Sequence, residues 1–333
     1  MQHNRTARPT IRLLQEDLKT DWGSVDQRRA VGEERWMDLH PFADIDHPII
    51  RKAADQLGSD PIADASASLI HCSGPWRLQE VRMSQWRAGI WTDPDTGVRW
   101  TATAGLAKGN HEDHDDFYEQ LTARVSNGGG AELLPTAQDQ RLLARETMAS
   151  ALTAWELDIQ ANVETLLTDA SVTGSARIEI FNPLKSDRVV VIEVTIVVRN
   201  DPDCDYEEVV VEFGFEPRYR GSEIGWTVTE RTLISISPPV QGWDRFHDTF
   251  SVINEIGHLG VQLGELRTAS SRGELLLSVP GDVSHYAHRR HLAESTVLAN
   301  GVRSLCGSFF VPMQDHDALP LCPACTEIYE KLA

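Results

Sequence analysis

Cysteine is scarce in this chain, five residues in 333, and three of the five fall within the last thirty positions. Long apolar runs are missing: none approaches the roughly eighteen residues that a membrane helix needs, so no membrane partner is expected. Positive charge is in short supply, with 31 Lys and Arg against 50 Asp and Glu and a formal charge of −19. That balance argues against a long nucleic-acid track, which meets phosphates with clustered cations, and leaves room for a small basic site on an acidic body. The residues Met1 to Arg12 are polar and hold no apolar core segment. No secretory signal is expected, and a cytoplasmic location follows. In that compartment clustered cysteines point to a metal before disulfides. Cys72 reads as a small core residue and Cys204 as part of an acidic turn.

What is present suggests several modules, since this length suffices for two or three cores. Residues 1–40 are charged and weakly periodic and read as an N-terminal arm with one short helix. Ile49, Ala53 and Leu57 return at helical spacing between Asp46 and Leu57. Trp76 to Arg82, Trp86 to Thr92 and Val98 to Ala104 read as three short strands, the last two joined by an Asp93-Pro94-Asp95-Thr96-Gly97 turn. A helix over Asp115–Val125 completes a small α+β domain at 41–126. The run Gly128-Gly129-Gly130 reads as a linker, because three glycines cost much backbone entropy to order.

A central α+β domain is predicted over 137–270. It opens with a helix from Gln138 to Leu167, carrying Leu142, Ala149, Leu152, Trp155 and Ile159 near one stripe. Val190, Ile192, Val194, Ile196 and Val198 alternate, and Val189, Val191 and Val197 occupy the other face. A strand apolar on both faces is expected to be central and covered by helices. Val209–Phe215 and Trp226–Ile236 read as its neighbouring strands, Pro238-Pro239 as the end of the sheet, and Trp243–Leu266 as a closing helix. The fold class is therefore α+β, with a third module at 281–333.

That third module carries the strongest spacing in the chain. Cys322-Pro323-Ala324-Cys325 can present two sulfurs from one tight turn, and Cys306 precedes it by fifteen intervening residues. Three Cys and one His would close a tetrahedral zinc site with no open position, making the ion structural. On spacing alone His285, His288, His291 and His316 compete for the fourth place. A metal-free redox Cys-x-x-Cys is the alternative, but it needs neither a third Cys nor a His.

The residues His285-Tyr286, Glu294-Ser295, Leu305-Cys306-Gly307, Val311-Pro312 and Cys322-Pro323-Ala324-Cys325-Thr326-Glu327-Ile328-Tyr329 follow one another in order. In this the tail resembles a bacterial zinc-ribbon-like family of unknown function over about residues 283–333. The resemblance selects His285 as the fourth ligand beside Cys306, Cys322 and Cys325, with Zn²⁺ as cofactor.

A second stretch suggests chemistry. Between Trp76 and Gly109 five basic residues (Arg77, Arg82, Arg87, Arg99, Lys108) meet three acidic ones (Glu80, Asp93, Asp95), a local net charge of +2. The order Leu78-Gln79-Glu80-Val81-Arg82, then Arg87-Ala88-Gly89-Ile90-Trp91, then Val98 to Leu106 and Lys108, resembles RelE and HigB type toxins. That resemblance implies a metal-independent endoribonuclease of the toxin–antitoxin or defence kind, acting on RNA, free or on the ribosome. Arg82 and Arg87 would clamp the phosphate, Lys108 would lie near the scissile bond, and His111, His114 or Tyr118 would serve as acid or base. The chain departs from that pattern at Gly109, where a second Lys is common, and in the acidic run Glu112-Asp113-His114-Asp115-Asp116.

His111, Asp113 and His114 read as a solvated loop in preference to a second metal site. Asn254-Glu255-Ile256-Gly257-His258 lacks the first His of a zinc-protease helix. Two functional classes emerge: a toxin-like ribonuclease, and a non-catalytic zinc-ribbon adaptor that binds a protein partner, which the acidic charge favours.

Overall fold

The computed structural model describes residues 6–58, 68–108, 113–200, 205–238, 243–278, 281, 283–289, 292, 302–307, 309–310 and 316–332. Two compact units are present, Met1–Ser150 and Ala151–Ala333. The class is α+β, and among the described residues no helix is long and apolar enough to cross a membrane.

The first unit is built on a four-stranded sheet. In chain order it contains β1 (Arg8–Pro9), α1 (Val25–Gly32), α2 (Pro48–Gln56), β2 (Gln79–Met83), β3 (Trp86–Thr92), β4 (Arg99–Leu106) and α3 (Phe117–Ser126). The strand order is β1-β4-β3-β2, antiparallel except for β1 against β4. On one side Val81, Ala88, Ile90 and Ala104 pack with Ile49 and Ala53 of α2 and with Leu13, Leu14, Trp36 and Leu39. The last four lie in the expected arm. Residues 6–40 thus contribute side chains to the core: the weak periodicity came from short turns that bury single side chains without a sustained helical stripe. On the other side Leu78 and Ala102 meet Phe117 and Leu121 of α3 and Leu133.

The triple glycine lies within this unit and opens a short 3₁₀ turn over Gly129–Leu133, with Gly128 exposed and Gly130 buried. A Cβ added to Gly130 would lie 2.0 Å from the Trp76 indole nitrogen. Glycine is therefore required there by close approach, not by freedom of the chain. Gly130→Ala is expected to destabilise the first unit by about 1–3 kcal/mol, the usual cost of overpacking, because the rigid indole must shift. Thermal unfolding should show it, and an unchanged midpoint would contradict the packing.

The division between units falls within α4 (Ala137–Thr173). The helix starts with a reciprocal cap: the Asp139 N–H donates to Thr136 Oγ1 (3.2 Å), and the Thr136 N–H donates to Asp139 Oδ2 (2.7 Å). The other carboxylate oxygen of buried Asp139 accepts from the Ile11 N–H at 2.7 Å, which ties the N-terminal segment to the helix start.

The second unit holds β5 (Ser175–Phe181), β6 (Arg188–Asn200), β7 (Asp205–Phe215), α5 (Glu223–Ile236), β8 (Asp244–Phe246), β9 (Thr249–Glu255) and α6 (His258–Arg272), followed by the tail. The five strands form an antiparallel sheet in the order β5-β6-β7-β9-β8. Ile192, Val194, Val209, Val211, Phe250 and Val252 join Ile159, Val163 and Leu166 of α4, Leu233 of α5 and Leu263 of α6 in one core. Among the described residues, helices cover that face only. The opposite face carries Arg177, Glu179, Glu193, Glu208 and Glu212 between its valines, so β6 is central but not covered on both sides.

Two elements differ from expectation. Trp226–Ile236 is helical, although β-branched residues crowd it. Ser222 caps the helix by accepting from the Gly225 N–H (3.1 Å). Two buried hydroxyls are satisfied inside the helix, Thr229 donating to the Gly225 carbonyl (2.9 Å) and Ser235 to the Arg231 carbonyl (2.7 Å). Trp243–Leu266 is a hairpin and then a helix, because Phe250 and Val252 alternate inward while Phe246 and Ile253 face solvent. Glu207, across the sheet, caps α6 by accepting from the Gly257 and Leu259 N–H groups (2.9 and 3.2 Å). Glu255 and His258 accordingly sit at a strand end and a helix start.

Candidate metal centre

Three short pieces of chain converge in the tail. Ser284 to Ala287 runs between two partners: Ser284 bridges Leu321 and Ala287 bridges Ser304. The Cys322 N–H donates to the Ser284 carbonyl (2.8 Å), and the Leu305 N–H to the Tyr286 carbonyl (2.6 Å). These bonds hold His285 between the two knuckles. The first knuckle is the turn joining β10 (Val302–Arg303) and β11 (Phe309–Phe310), which presents Cys306. Gly307, at φ +96°, makes the left-handed step that turns the chain around the sulfur. The second is the start of α7 (Pro323–Leu332), with Cys322 just before the helix and Cys325 in its first turn. Pro323 suits that position because a first-turn N–H has no helical partner to lose.

The ligand atoms of His285, Cys306, Cys322 and Cys325 all lie within 4.8 Å of one another. His285 Nδ1 is 3.5 Å from Cys306 Sγ and 3.6 Å from Cys325 Sγ, and Cys306 and Cys322 Sγ are 3.9 Å apart. A tetrahedral ion with bonds of about 2.3 Å to sulfur and 2.0 Å to nitrogen puts its ligand atoms roughly 3.5 to 3.8 Å apart. The four residues could therefore hold one metal ion.

Surroundings favour a cation at the centre. Burial pushes the Cys325 thiol up to about 11, and the neighbouring Cys306 adds to the rise against backbone N–H groups that oppose it. Three thiolates in so small a volume need a positive charge between them. The N-terminal end of α7 and the Ser304 hydroxyl, 3.0 Å from Cys306 Sγ, also favour the ionised sulfur. Phe310 stacks on the His285 ring (centroids 5.2 Å apart, planes 26°) and fixes its rotation. The helix-start placement of Cys322 and Cys325 also suits a redox pair. Cys306 and His285 at the same centre are what distinguish a metal site.

The basic stretch of the first unit is partly assembled. Arg82 on β2 and Arg87 on β3 are register partners. Between them and α3 lies Glu80, buried, which accepts from Arg82 (2.5 Å) and from the Tyr118 hydroxyl. Burial pushes the Glu80 carboxyl up, but Arg82 and Tyr118 outweigh it and hold the group below the usual carboxylate range. Burial and Glu80 push the Tyr118 phenol up. Arg87 donates to the Ser84 and Trp86 carbonyls (2.8 and 2.9 Å). Lys108 lies elsewhere, paired with Asp115, its N–H donating to Asp116 Oδ2 (2.7 Å). His111 lies outside the described residues. So do the competing His291, the Glu294, Ser295, Val311 and Pro312 of the tail motif, and Cys204. Sequence reasoning missed Glu80 as the hub of this cluster. Its signal was the i, i+2 spacing to Arg82, which puts both on one face of a strand.

Residues 280–332 match a family described as a protein of unknown function (DUF3039). No curated protein and no solved structure matches the chain.

Proposed function

We propose that this is a zinc-containing binding protein whose tail is a closed structural zinc module and whose body acts by holding a protein partner. The observation that carries this reading is the convergence of three sulfurs and one imidazole nitrogen within 4.8 Å of one another, a set that would fill every coordination position of a zinc ion. A closed site has nowhere to bind or polarise a substrate, so its contribution is to shape. The formal charge of −19 favours a basic protein surface as the partner over a nucleic acid.

One observation favours the second reading, cleavage of RNA by a RelE-like module: Arg82, Arg87 and Tyr118 share a face of the first sheet. Against it, Arg82 and Lys108, two of the three cations that would meet a phosphate, are engaged by carboxylates, and Tyr118 donates to Glu80.

Expression of the full chain separates the two. Growth and transcript integrity are expected to match those of cells making an Arg82→Ala, Lys108→Ala double variant. Transcript cleavage by the unaltered chain that the double variant abolishes overturns the adaptor reading. Elemental analysis of the same purified protein should return one zinc per chain, and an absence of stoichiometric metal overturns the module.

A further inference from the structure

A cavity of about 470 Å³ opens in the second unit, where the first knuckle of the tail meets the five-stranded sheet. Three arginines line it, Arg220 beside α5, Arg245 on β8 and Arg303 on β10, with a single carboxylate, Asp248. Its apolar lining is Phe215, Trp226 and Phe250. In a chain of net −19, a concave surface with three guanidinium groups and one acid is a marked local reversal.

The three arginines are not equivalent. Arg220 is paired with Asp248 (3.1 Å). Arg245 donates through Nε to the His247 carbonyl (2.7 Å), and among the described residues no ion pair engages it. It lies against Gly307, where an added Cβ would be 3.2 Å from Arg245 Cδ, so the knuckle turn braces it. Arg303 stacks over Trp226 at 4.1 Å, and its buried Nε has no hydrogen-bond partner among the described residues. Burial pushes the Arg245 guanidinium down, and the charge of Asp248 offsets only part of that. Gly221 and Gly225, at the start of the fourteen-residue α5, line the same cavity and bring the positive end of that helix to it.

Two partly desolvated cations facing a half-open cleft, whose one acid is paired with Arg220, leave a place for a ligand anion. Guanidinium groups match tetrahedral oxyanions through paired N–H donors. The volume exceeds what one oxyanion fills and falls in the range of small-molecule sites, and the remaining lining is aromatic. We infer that this cavity binds a phosphate-bearing organic ligand, with its phosphate between Arg245 and Arg303 and its apolar part against Phe215 and Trp226. Because β10 delivers Arg303 and Gly307 braces Arg245, the site is complete only when the tail is folded. The inference needs an ordered tail and is indifferent to which metal orders it.

The test uses the full, metal-loaded chain and three probes: phenyl phosphate, inorganic phosphate and phenol. Calorimetric titration is expected to show saturable one-to-one binding of phenyl phosphate, at least tenfold weaker binding of inorganic phosphate, and none of phenol. Arg303→Met and Arg245→Met should each weaken phenyl phosphate at least tenfold while metal content and thermal midpoint hold. A measurement without variants guards against misfolding: bound phenyl phosphate should protect Arg245 and Arg303 from phenylglyoxal in peptide mapping. No saturable binding at millimolar concentration overturns the inference, as does binding that protects neither arginine. Inorganic phosphate binding as tightly as the ester marks a bare oxyanion site and overturns the organic ligand.

Discussion

Replacing Cys306 with serine is expected to reduce bound metal from one equivalent per chain to near zero and to unfold the tail while the first unit stays folded. The geometry explains why one atom matters so much. His285, Cys306, Cys322 and Cys325 come from three pieces of chain joined by a few backbone bonds, and the local strands β10 and β11 are two residues each. Such pieces cannot bury enough apolar surface to stay together unaided. In modules of this size the metal's apparent binding free energy, about 10–16 kcal/mol at neutral pH, is folding free energy. Removing one ligand exposes the whole of that dependence. Proteolysis should then cut the tail rapidly, and amide exchange there should approach the unprotected rate. Chelation of the unaltered protein should give the same pattern. Retention of a full metal equivalent by Cys306→Ser would show that the ion sits elsewhere.

Acid acts on the same equilibrium with a definite sign. Metal binding displaces the thiol protons, and burial already holds the Cys325 thiol near 11 in the absence of an ion. Lowering the pH therefore weakens binding, and the tail should lose its ion before the sheet domains unfold.

How much of this was legible in the sequence depends on the range of the signal. The convergence of the four tail residues was readable because the turn Cys322-Pro323-Ala324-Cys325 fixes two of them locally, and the tail motif, from His285-Tyr286 to the closing Tyr329, pointed to the others. Three of the four strands of the first sheet were readable, two of them because the Asp93–Gly97 turn joins them; the two-residue β1 was not. The helix α5 was not, since Trp226 to Ile236 is as β-branched as a strand. Only the Ser222 cap and the hydroxyl bonds within the helix show why it coils. Nor could the charge of Arg82 be judged from its neighbours in sequence, because the Tyr118 that shares Glu80 with it arrives from another element. The basic cavity was invisible for the same reason: Arg220, Arg245 and Arg303 are spread over more than eighty positions.

Glu146→Ala is expected to be the most destabilising single change in the first unit, costing about 3–5 kcal/mol. Arg8 is buried at 3% exposure, between the rings of Phe42 (4.9 Å) and Trp100 (5.2 Å). Its ion pair with Glu146 is 3.2 Å long but poorly aligned for hydrogen bonding, and among the described residues its nitrogens find no better acceptor. Glu146 also meets His40 Nδ1 at 2.9 Å. Burial pushes the Glu146 carboxyl up, yet His40 and Arg8 more than reverse it and hold the group below the usual range. A carboxyl depressed in the folded state stabilises fully above its unfolded pKa of about 4.3, and that contribution disappears as pH falls through the folded value. Urea unfolding of Glu146→Gln should accordingly show its deficit at pH 7 and lose it progressively as pH falls below the unfolded value of about 4.3. The size of the Glu146→Ala effect comes from stranding the guanidinium, not from the worth of the pair, since a buried charge without its partner costs several kcal/mol. Arg8→Met combined with Glu146→Met removes both charges and keeps the volume, so it should recover most of the stability. If the double variant is as unstable as Glu146→Ala alone, packing and not charge holds this corner of the fold.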